Sequence, residues 1–275
     1  MGRTIRTILR YLLLTAIAAV MVGPFLWMVA TSLMESQDIF RIPPRWIPDR
    51  IDLHNYRAIM DVLPLGRLLI NSFTIAITAT IGQLSSCTLA AYAFARMQFR
   101  GNTVLYFILL ATMMIPAQVT MIPVFLIMRS LGLIDTLYAL IVPAFFGGAF
   151  GTFLLRQFFS TIPKDLEDAA RMDGCGRFRI LWSIYLPLSR PALATLGLFT
   201  FMTYWNDLLG PVIYLSSVEH ATLTMGLASL QSGAMVTRYD LLMAGSVLSV
   251  LPILLLLIAG QQWFVKGIAT SGLKE

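Results

Sequence analysis

Charged residues are scarce in this sequence. They make up 12% of its 275 positions, whereas hydrophobic residues make up 57%. A soluble domain carries about 25% charged residues, because its surface must be polar. The mean hydropathy of +0.77 points the same way. The composition therefore excludes a soluble enzyme and predicts an integral membrane protein.

Metal-binding and nucleotide-binding patterns are also missing. The chain has two cysteines and two histidines, and their spacing fits no metal site. It contains no GxxxxGK[ST] loop, so it is not expected to hold nucleotide phosphates itself. We therefore expect no metal ion and no cofactor on this chain.

Long uncharged runs separate the few charges. A membrane-spanning helix needs about 20 mostly apolar residues, and a helix satisfies its own backbone hydrogen bonds in lipid. Five runs have that length, and a sixth is interrupted only by Asp207. The first run is longer than the roughly 7–15 residues of a signal-peptide core, so we expect it to remain as a helix. The runs predict an all-α polytopic membrane protein with six transmembrane helices, near residues 11–33, 67–95, 103–128, 136–158, 191–217 and 241–264.

The distribution of lysine and arginine predicts the orientation of these spans. Both residue types concentrate in cytoplasmic loops. With the N-terminus inside, the inner segments hold 13 of the 20 basic residues and the outer segments hold 7. Both termini are therefore expected in the cytoplasm.

The inner segment between the fourth and fifth predicted spans has the pattern of a folded element. Thr161 can cap a helix, and Pro163 suits the first turn. Acidic residues follow at the positive end of the helix dipole. Gly174 and Gly176 predict that the helix ends or bends there.

A second helical piece follows the two glycines. Phe178, Leu181 and Tyr185 are spaced by three and four residues, as on one face of an amphipathic helix. Two short helices joined by a glycine elbow are more than a connector needs. The segment is therefore interpreted as a contact site for a cytoplasmic partner.

The spacing within this segment resembles the EAA loop of ABC importer permeases. The match rests on Asp168, Ala169, Ala170, Gly174, Ile184, Leu186 and Pro187. Residues 204–211 resemble the WN-D signature of the maltose-permease type, and residues 264–274 resemble the glycine-rich tail of its smaller subunit. Asp168 stands where the motif has glutamate, with Glu167 one position earlier, and Cys175 stands where alanine is usual. These departures leave the charge partner open.

The resemblance implies a role for each part of the loop. It makes helix 163–176 a coupling helix in the cytoplasmic loop 161–190, seated in a groove of a separate ATPase that holds ATP and Mg²⁺. Acidic side chains would pair with basic residues of the ATPase, and small ones would allow close contact. The residues assigned to this coupling are Glu167, Asp168, Ala169, Ala170, Asp173, Gly174 and Pro187.

The resemblance also implies an assembly and a location. The chain would pair with a second homologous permease subunit, two ATPase subunits and an extracytoplasmic binding protein, without nucleic acid, in a bacterial or archaeal inner membrane. Its regions would be a first transmembrane helix with an outer loop (1–66), an importer core (67–265) and a cytoplasmic tail (266–275).

A second candidate site lies in the fifth predicted span. An acid near the middle of a bilayer costs about 2.5–3.5 kcal/mol on insertion scales, so Asp207 should face protein, water or the solute path. Tyr204, Trp205 and Asn206 precede it and are assigned with it to a translocation path or gate. The alternative is a structural hydrogen bond near an outer helix end.

The leading functional hypothesis is a permease subunit of an ATP-driven importer for a carbohydrate or related polar solute. An importer for glycerol-phosphate compounds, polyamines or peptides is an alternative. An ion-coupled secondary transporter would need intramembrane acids that form ion sites, and Asp207 is the one acid well inside a predicted span. A membrane enzyme would need a polar catalytic cluster, which no predicted span offers.

Overall fold

The protein is helical throughout the part that the structure describes. This computed structural model covers residues 2–43, 46–48, 51–231 and 238–271. Within those ranges no β-strand is present, which confirms the all-α prediction. Two compact units are formed, one by residues 1–66 with 226–252 and the other by residues 67–225 with 253–275. The functional division at residues 66 and 265 stays a prediction.

The helices have the following bounds. The α-helices are α1 (Gly2–Ser32), α2 (Ser36–Ile39), α3 (His54–Val62), α4 (Leu65–Arg96), α5 (Asn102–Ala111), α6 (Ala117–Ser130), α7 (Tyr138–Ile141), α8 (Ala149–Thr161), α9 (Lys164–Met172), α10 (Arg177–Ile180), α11 (Leu186–Leu188), α12 (Arg190–Trp205), α13 (Leu209–Tyr214), α14 (Leu223–Ser229) and α15 (Tyr239–Ser271). Two 3-10 turns occur at Thr112–Met114 and Val142–Phe146, and a π-helical turn at Leu181–Tyr185. Residues 266–271 of the predicted tail continue α15, and residues 272–275 lie outside the described residues.

Four helical stretches are long and apolar enough to cross a membrane. They are Thr4–Ser32, Leu65–Arg96, Tyr138–Thr161 and Tyr239–Gln261, and they agree with the first, second, fourth and sixth predicted spans. A fifth candidate is the pair formed by Asn102–Met114 and Ala117–Ser130, which is bent by 103°. Length and composition thus support four or five spans in the described part of the chain.

The third predicted span is not one straight helix, so that prediction was wrong in shape. Ile115 and Pro116 are both extended, with ψ of 115° and 138°. Proline disfavours the α conformation for the residue before it, and the two extended residues turn the chain. The length of the uncharged run favours a single span here, because length carries no information on this turn.

The fifth predicted span, 191–217, is divided, and the prediction of one continuous helix was wrong. α12 ends at Trp205 and α13 begins at Leu209. Asn206, with φ −93° and ψ 0°, is no longer in the α-helical conformation. Asn and Asp side chains compete for backbone hydrogen bonds and so favour helix ends. α12 has 16 residues, fewer than a full crossing needs.

The core of the second unit lies where α4, α8 and α12 meet. Cys87, Leu155 and Leu196 are buried there together. A Cβ atom on Gly151 would lie 2.8 Å from the Cys87 Sγ and 3.0 Å from Leu196. Glycine at this position therefore allows the three helices to pack closely, as small residues do in membrane bundles.

The first unit holds the chain just after α1. The side-chain amide of Asn55 on α3 donates to the carbonyl oxygens of Ser32 at 3.0 Å and Met34 at 2.8 Å. These carbonyls follow the end of α1 and have no partner inside the helix. Near the start of α15, Asp240 accepts hydrogen bonds from Ser36 and Arg238.

Candidate functional site

The hairpin, residues 161–190, begins with the short helix α9. Pro163 precedes it in an extended conformation, with ψ of 138°, and no side chain caps it. The hydroxyl of Thr161 instead donates to the Phe158 carbonyl at 2.7 Å, so the predicted Thr161 cap was wrong. Asp165 and Glu167 lie in the first turn, where the helix dipole favours negative charge. α9 is shorter than the predicted helix 163–176.

Gly174 ends α9 in a Schellman motif. Its φ is +77°, and a Cβ there would contact nothing within 4 Å, so backbone conformation rather than space requires glycine. The Cys175 N–H donates to the Ala170 carbonyl at 2.9 Å, and the Gly174 N–H donates to the Arg171 carbonyl at 3.0 Å. These are the two bonds of that motif. The predicted glycine bend is confirmed.

α9 presents most of its surface outward. Asp168 and Ala169 are exposed, as is Asp173 just after the helix. Met172 is 89% exposed. Ala170 is half-buried and packs against the core of its own chain. Two acids, a small residue and an apolar side chain are therefore available to a partner.

Glu167 faces inward, unlike the other acids assigned to coupling. It is 5% exposed and is the buried residue of α9. Its Oε2 accepts from the Tyr185 hydroxyl at 2.8 Å, and its Oε1 accepts from Arg171 Nη2 at 2.5 Å. Arg171 thus balances the charge of this carboxylate, and both carboxylate oxygens accept hydrogen bonds within the chain, as a buried charge requires.

Tyr185 is a residue that the sequence identifies only as part of an apolar face. Its side chain is fully buried. Burial, and secondly the hydrogen bond to Glu167, raise the pKa of its hydroxyl. Tyr185 therefore stays protonated and serves as the donor in this pair.

The second half of the hairpin is not a regular amphipathic helix. Leu181 and Tyr185 are buried, but Phe178 is 79% exposed, so the predicted common face of these three residues was wrong. The π-helical turn at 181–185 adds a residue to one turn and shifts the register. Pro187 lies in the first turn of α11. Its ring would clash with a carbonyl four residues earlier in a regular α-helix, which favours the wider turn.

Residues 204–207, which the sequence assigns to a translocation path or gate, lie around the break after α12. Their side chains differ in burial. Trp205 is 2% exposed and stacks on Phe201, with ring centroids 5.5 Å apart. Tyr204 packs against a second cluster of buried residues. Asn206 is exposed and donates to the Met202 carbonyl at 3.0 Å. Trp205 is therefore part of the core of its own chain, and the assignment of residues 204–207 to a translocation path or gate stays a prediction.

Asp207 serves the backbone around the break. Its Oδ1 accepts from the Gly210 N–H at 3.2 Å, at the start of α13. Its carbonyl accepts from the Thr224 hydroxyl at 2.7 Å. Such bonds near a helix end are compatible with the structural alternative, and the role of Asp207 in a solute path stays a prediction.

Asp135 is a residue that the sequence does not single out. Its carboxylate accepts from the N–H groups of Ser216 and Ser217, each at 2.9 Å, and from the Ser217 hydroxyl at 3.0 Å. Bonds from the Ser217 and Ser216 backbone lower its pKa to about 2. No local pattern shows this, because its partners lie some eighty residues away.

The described residues contain no group of three or more His, Cys, Asp or Glu side chains that could hold a metal ion, either at the candidate site or elsewhere. The hairpin presents exposed charges of both signs, and α9 has one buried carboxylate, that of Glu167, behind this surface.

Known proteins resemble this chain over nearly its whole length. It is 35% identical over 251 residues to the sn-glycerol-3-phosphate transport system permease protein UgpE of Yersinia pestis, covering 88% of each chain. It is 34% identical to the arabinooligosaccharides transport system permease protein AraQ of Halalkalibacterium halodurans, covering 94% of this chain and 93% of that one. The probable ABC transporter permease protein YurM of Bacillus subtilis is 33% identical, with 99% and 89% covered.

Solved structures agree. A chain of a bacterial ABC transporter that imports the acidic polysaccharide alginate matches with a TM-score of 0.84 and 27% identity, covering 96% of this chain and 98% of that one. A chain of the alginate transporter in complex with its pentasaccharide-bound periplasmic protein matches with a TM-score of 0.66 and 14% identity, which supports the fold. Residues 87–270 match the family described as the binding-protein-dependent transport system inner membrane component. The chain therefore belongs to this family, the permease subunits of ABC importers.

Proposed function

We propose that this permease subunit translocates a carbohydrate or a related polar solute that an extracytoplasmic binding protein delivers. Relatives named for arabinooligosaccharides and for sn-glycerol 3-phosphate support this class of solute. The observation that carries the proposal is the exposed surface of α9, whose end at Gly174 fits the EAA spacing. A glycerol-phosphate compound is the second candidate solute.

The proposed topology has six crossings with both termini in the cytoplasm. The excess of lysine and arginine in the inner segments supports this orientation. α12 is about 24 Å long at 1.5 Å per residue, and the hydrocarbon core is about 30 Å thick. The broken stretch from α12 through α13 would complete the fifth crossing.

The proposed partner of the hairpin is an ATPase subunit that binds ATP and Mg²⁺. Asp168 and Asp173 would pair with basic residues of its groove, and Ala169 would allow close approach. Glu167 and Ala170 would hold α9 from behind, and Pro187 would direct the chain into α12. The whole assembly would contain two permease subunits, two ATPases and a binding protein in a bacterial or archaeal inner membrane.

The proposed solute path passes the break after α12. Asn206 and Asp207 would face the path or act as a gate, because polar backbone at membrane depth needs a cavity or protein around it. Tyr204 and Trp205 would support the break from the interior of the chain.

Uptake in proteoliposomes tests this proposal. The chain would be co-expressed with the subunits encoded beside it, and labelled sn-glycerol 3-phosphate and arabinotriose would be offered with the binding protein outside and ATP inside. We expect uptake of one solute that needs ATP and stops when the ATPase carries an inactive nucleotide site. Uptake that is indifferent to ATP but abolished by ionophores would instead identify an ion-coupled transporter.

A further inference from the structure

The last residue of α4 contacts the end of α8. Arg96 Nη2 donates to the carbonyl oxygens of Phe159, at 2.6 Å, and Ile162. Carbonyls at a helix C-terminus lack partners within the helix and carry the negative end of its dipole. The guanidinium therefore joins α4 to α8 just before the hairpin begins.

The same guanidinium lies over an aromatic ring of the hairpin. The Arg96 Cζ is 5.2 Å from the centroid of the Tyr185 ring, within the range of a cation–π contact. Tyr185 also packs edge-on against Tyr92 and Phe159, with ring centroids 5.1 Å and 5.4 Å away. The ring is therefore fixed on three sides by α4 and α8.

The hydroxyl of this fixed ring contacts α9. It donates to Glu167 at 2.8 Å, and Glu167 is the buried residue of that helix. Seven other residues of α9 are exposed, and Ala170 is half-buried. Side-chain attachment of α9 to the rest of the chain therefore runs mainly through this carboxylate.

We propose that Arg96, Tyr185 and Glu167 form a latch that fixes α9 to the ends of α4 and α8, so that movement of α9 is transmitted to both helices. Arg96 and Tyr185 are positioning residues, because they act through Glu167 rather than on solute or nucleotide. The proposal rests on the proposed coupling function of α9. It adds the route from the ATPase contact into the membrane helices.

Hydrogen–deuterium exchange tests the latch without solute or ATP. The full chain would be placed in lipid nanodiscs with the subunits that co-purify with it. Tyr185→Phe keeps the ring contacts but removes the donor to Glu167. A hydrogen bond to a charged group is strong enough for its loss to shift a local equilibrium by about tenfold, so we expect exchange in residues 164–172 to accelerate about tenfold.

Two further variants separate the latch from a general loss of packing. Arg96→Lys keeps the charge but cannot span two carbonyls and a ring, and it should accelerate exchange in α9 as well. In a Glu167→Leu background, Tyr185→Phe should have no additional effect, because the bond is already absent. Arg100→Met is the control, since Arg100 is an exposed basic residue just beyond α4, and it should leave exchange unchanged.

Unchanged exchange in α9 for both Tyr185→Phe and Arg96→Lys would overturn the latch, as would fully additive effects in the double variant. In the uptake assay the latch variants should hydrolyse more ATP per solute transported than the Arg100→Met control. Failure of the wild-type assembly to use ATP would refute the proposed function, whereas the exchange data would still decide on the latch.

Discussion

Two connecting segments of the second unit are held in opposite ways. The hairpin, residues 161–190, exposes most of α9 and attaches it through Glu167. The distal connector, defined here as residues 206–223, is instead fixed at several backbone positions. Asn71 donates to the carbonyls of Glu219 and Ala221, each at 2.9 Å.

Further bonds fix the distal connector to other elements. Ser72 accepts from the Leu223 N–H at 2.8 Å, and Asp135 accepts from Ser216 and Ser217. A segment whose backbone groups are paired along its length moves only with the helices that hold it. α9, whose side chains are held mainly through Glu167 and Ala170, has fewer such bonds. That difference fits the proposed roles of α9 as a coupling element and of the distal connector as a rigid support.

The strongest way to break this comparison is to disturb the end of α9. Gly174→Asp places a side chain at φ +77°, where Asp is strained less than most residues and costs about 1 kcal/mol. That cost lowers the population of the native α9 end about five-fold. We expect membrane insertion to persist and ATP-driven uptake to fall about five-fold, while ATP hydrolysis continues.

Gly176→Asp is the matched control for that variant. Gly176 has φ −71° and ψ 162°, which any residue adopts, and a Cβ there has open space. It adds the same charge two residues away and should retain uptake. Equal loss in both variants would show that charge, not the shape of the α9 end, is responsible.

The sequence predicts the hairpin better than it predicts the attachments of the hairpin. Gly174 could be identified because a helix end that needs positive φ selects glycine. The role of Tyr185 could not, because spacing rules describe one helix face and carry no information on its bond to Glu167, 18 residues earlier on another helix. From the sequence, Arg96 counts only as one of the basic residues of the inner segments. No neighbouring residue in the sequence indicates that its side chain contacts the carbonyls at the end of α8.

The membrane helices show the same limit. Uncharged length predicts where four candidate spans occur, because lipid selects for length and polarity. It does not predict the bend at Pro116 or the break at Asn206, because both depend on how neighbouring elements satisfy the freed backbone groups. Asp135 has partners distant in sequence, and a single chain carries no signal for such pairs.

The second prediction removes a bond of the distal connector. Asn71 is 8% exposed, and Asn71→Leu would leave the carbonyls of Glu219 and Ala221 without their donor. Each lost hydrogen bond costs about 0.5–1.5 kcal/mol net, because Glu219 is exposed and Ala221 half-buried and water can partly replace the donor. We expect the midpoint temperature of thermal aggregation to fall by several degrees. Size-exclusion chromatography of heated samples would measure that midpoint.

Asn206→Leu is the comparison for the second prediction. Asn206 makes a single amide bond to the Met202 carbonyl and is exposed, so water can replace that bond. Its effect on the midpoint should be smaller than that of Asn71→Leu. The reverse order would contradict the description of the distal connector as the rigid segment.

The smallest expected effect concerns pH. The folded pKa of Asp135 is about 2, below its ordinary value of 3.8, because its carboxylate accepts backbone bonds from Ser217 and Ser216. The contribution of these bonds is therefore complete above about pH 4 and is lost as pH falls toward 2. His220 faces the same group, with Nδ1 3.7 Å from Asp135 Oδ1, so the titration should be followed at Asp135 itself.

We expect the ¹³C signal of a labelled Asp135 carboxyl to titrate near pH 2. In Ser217→Ala, which keeps both backbone donors and removes the hydroxyl, the midpoint should rise only slightly, and a wild-type midpoint near 3.8 would show that these bonds do not hold the distal connector.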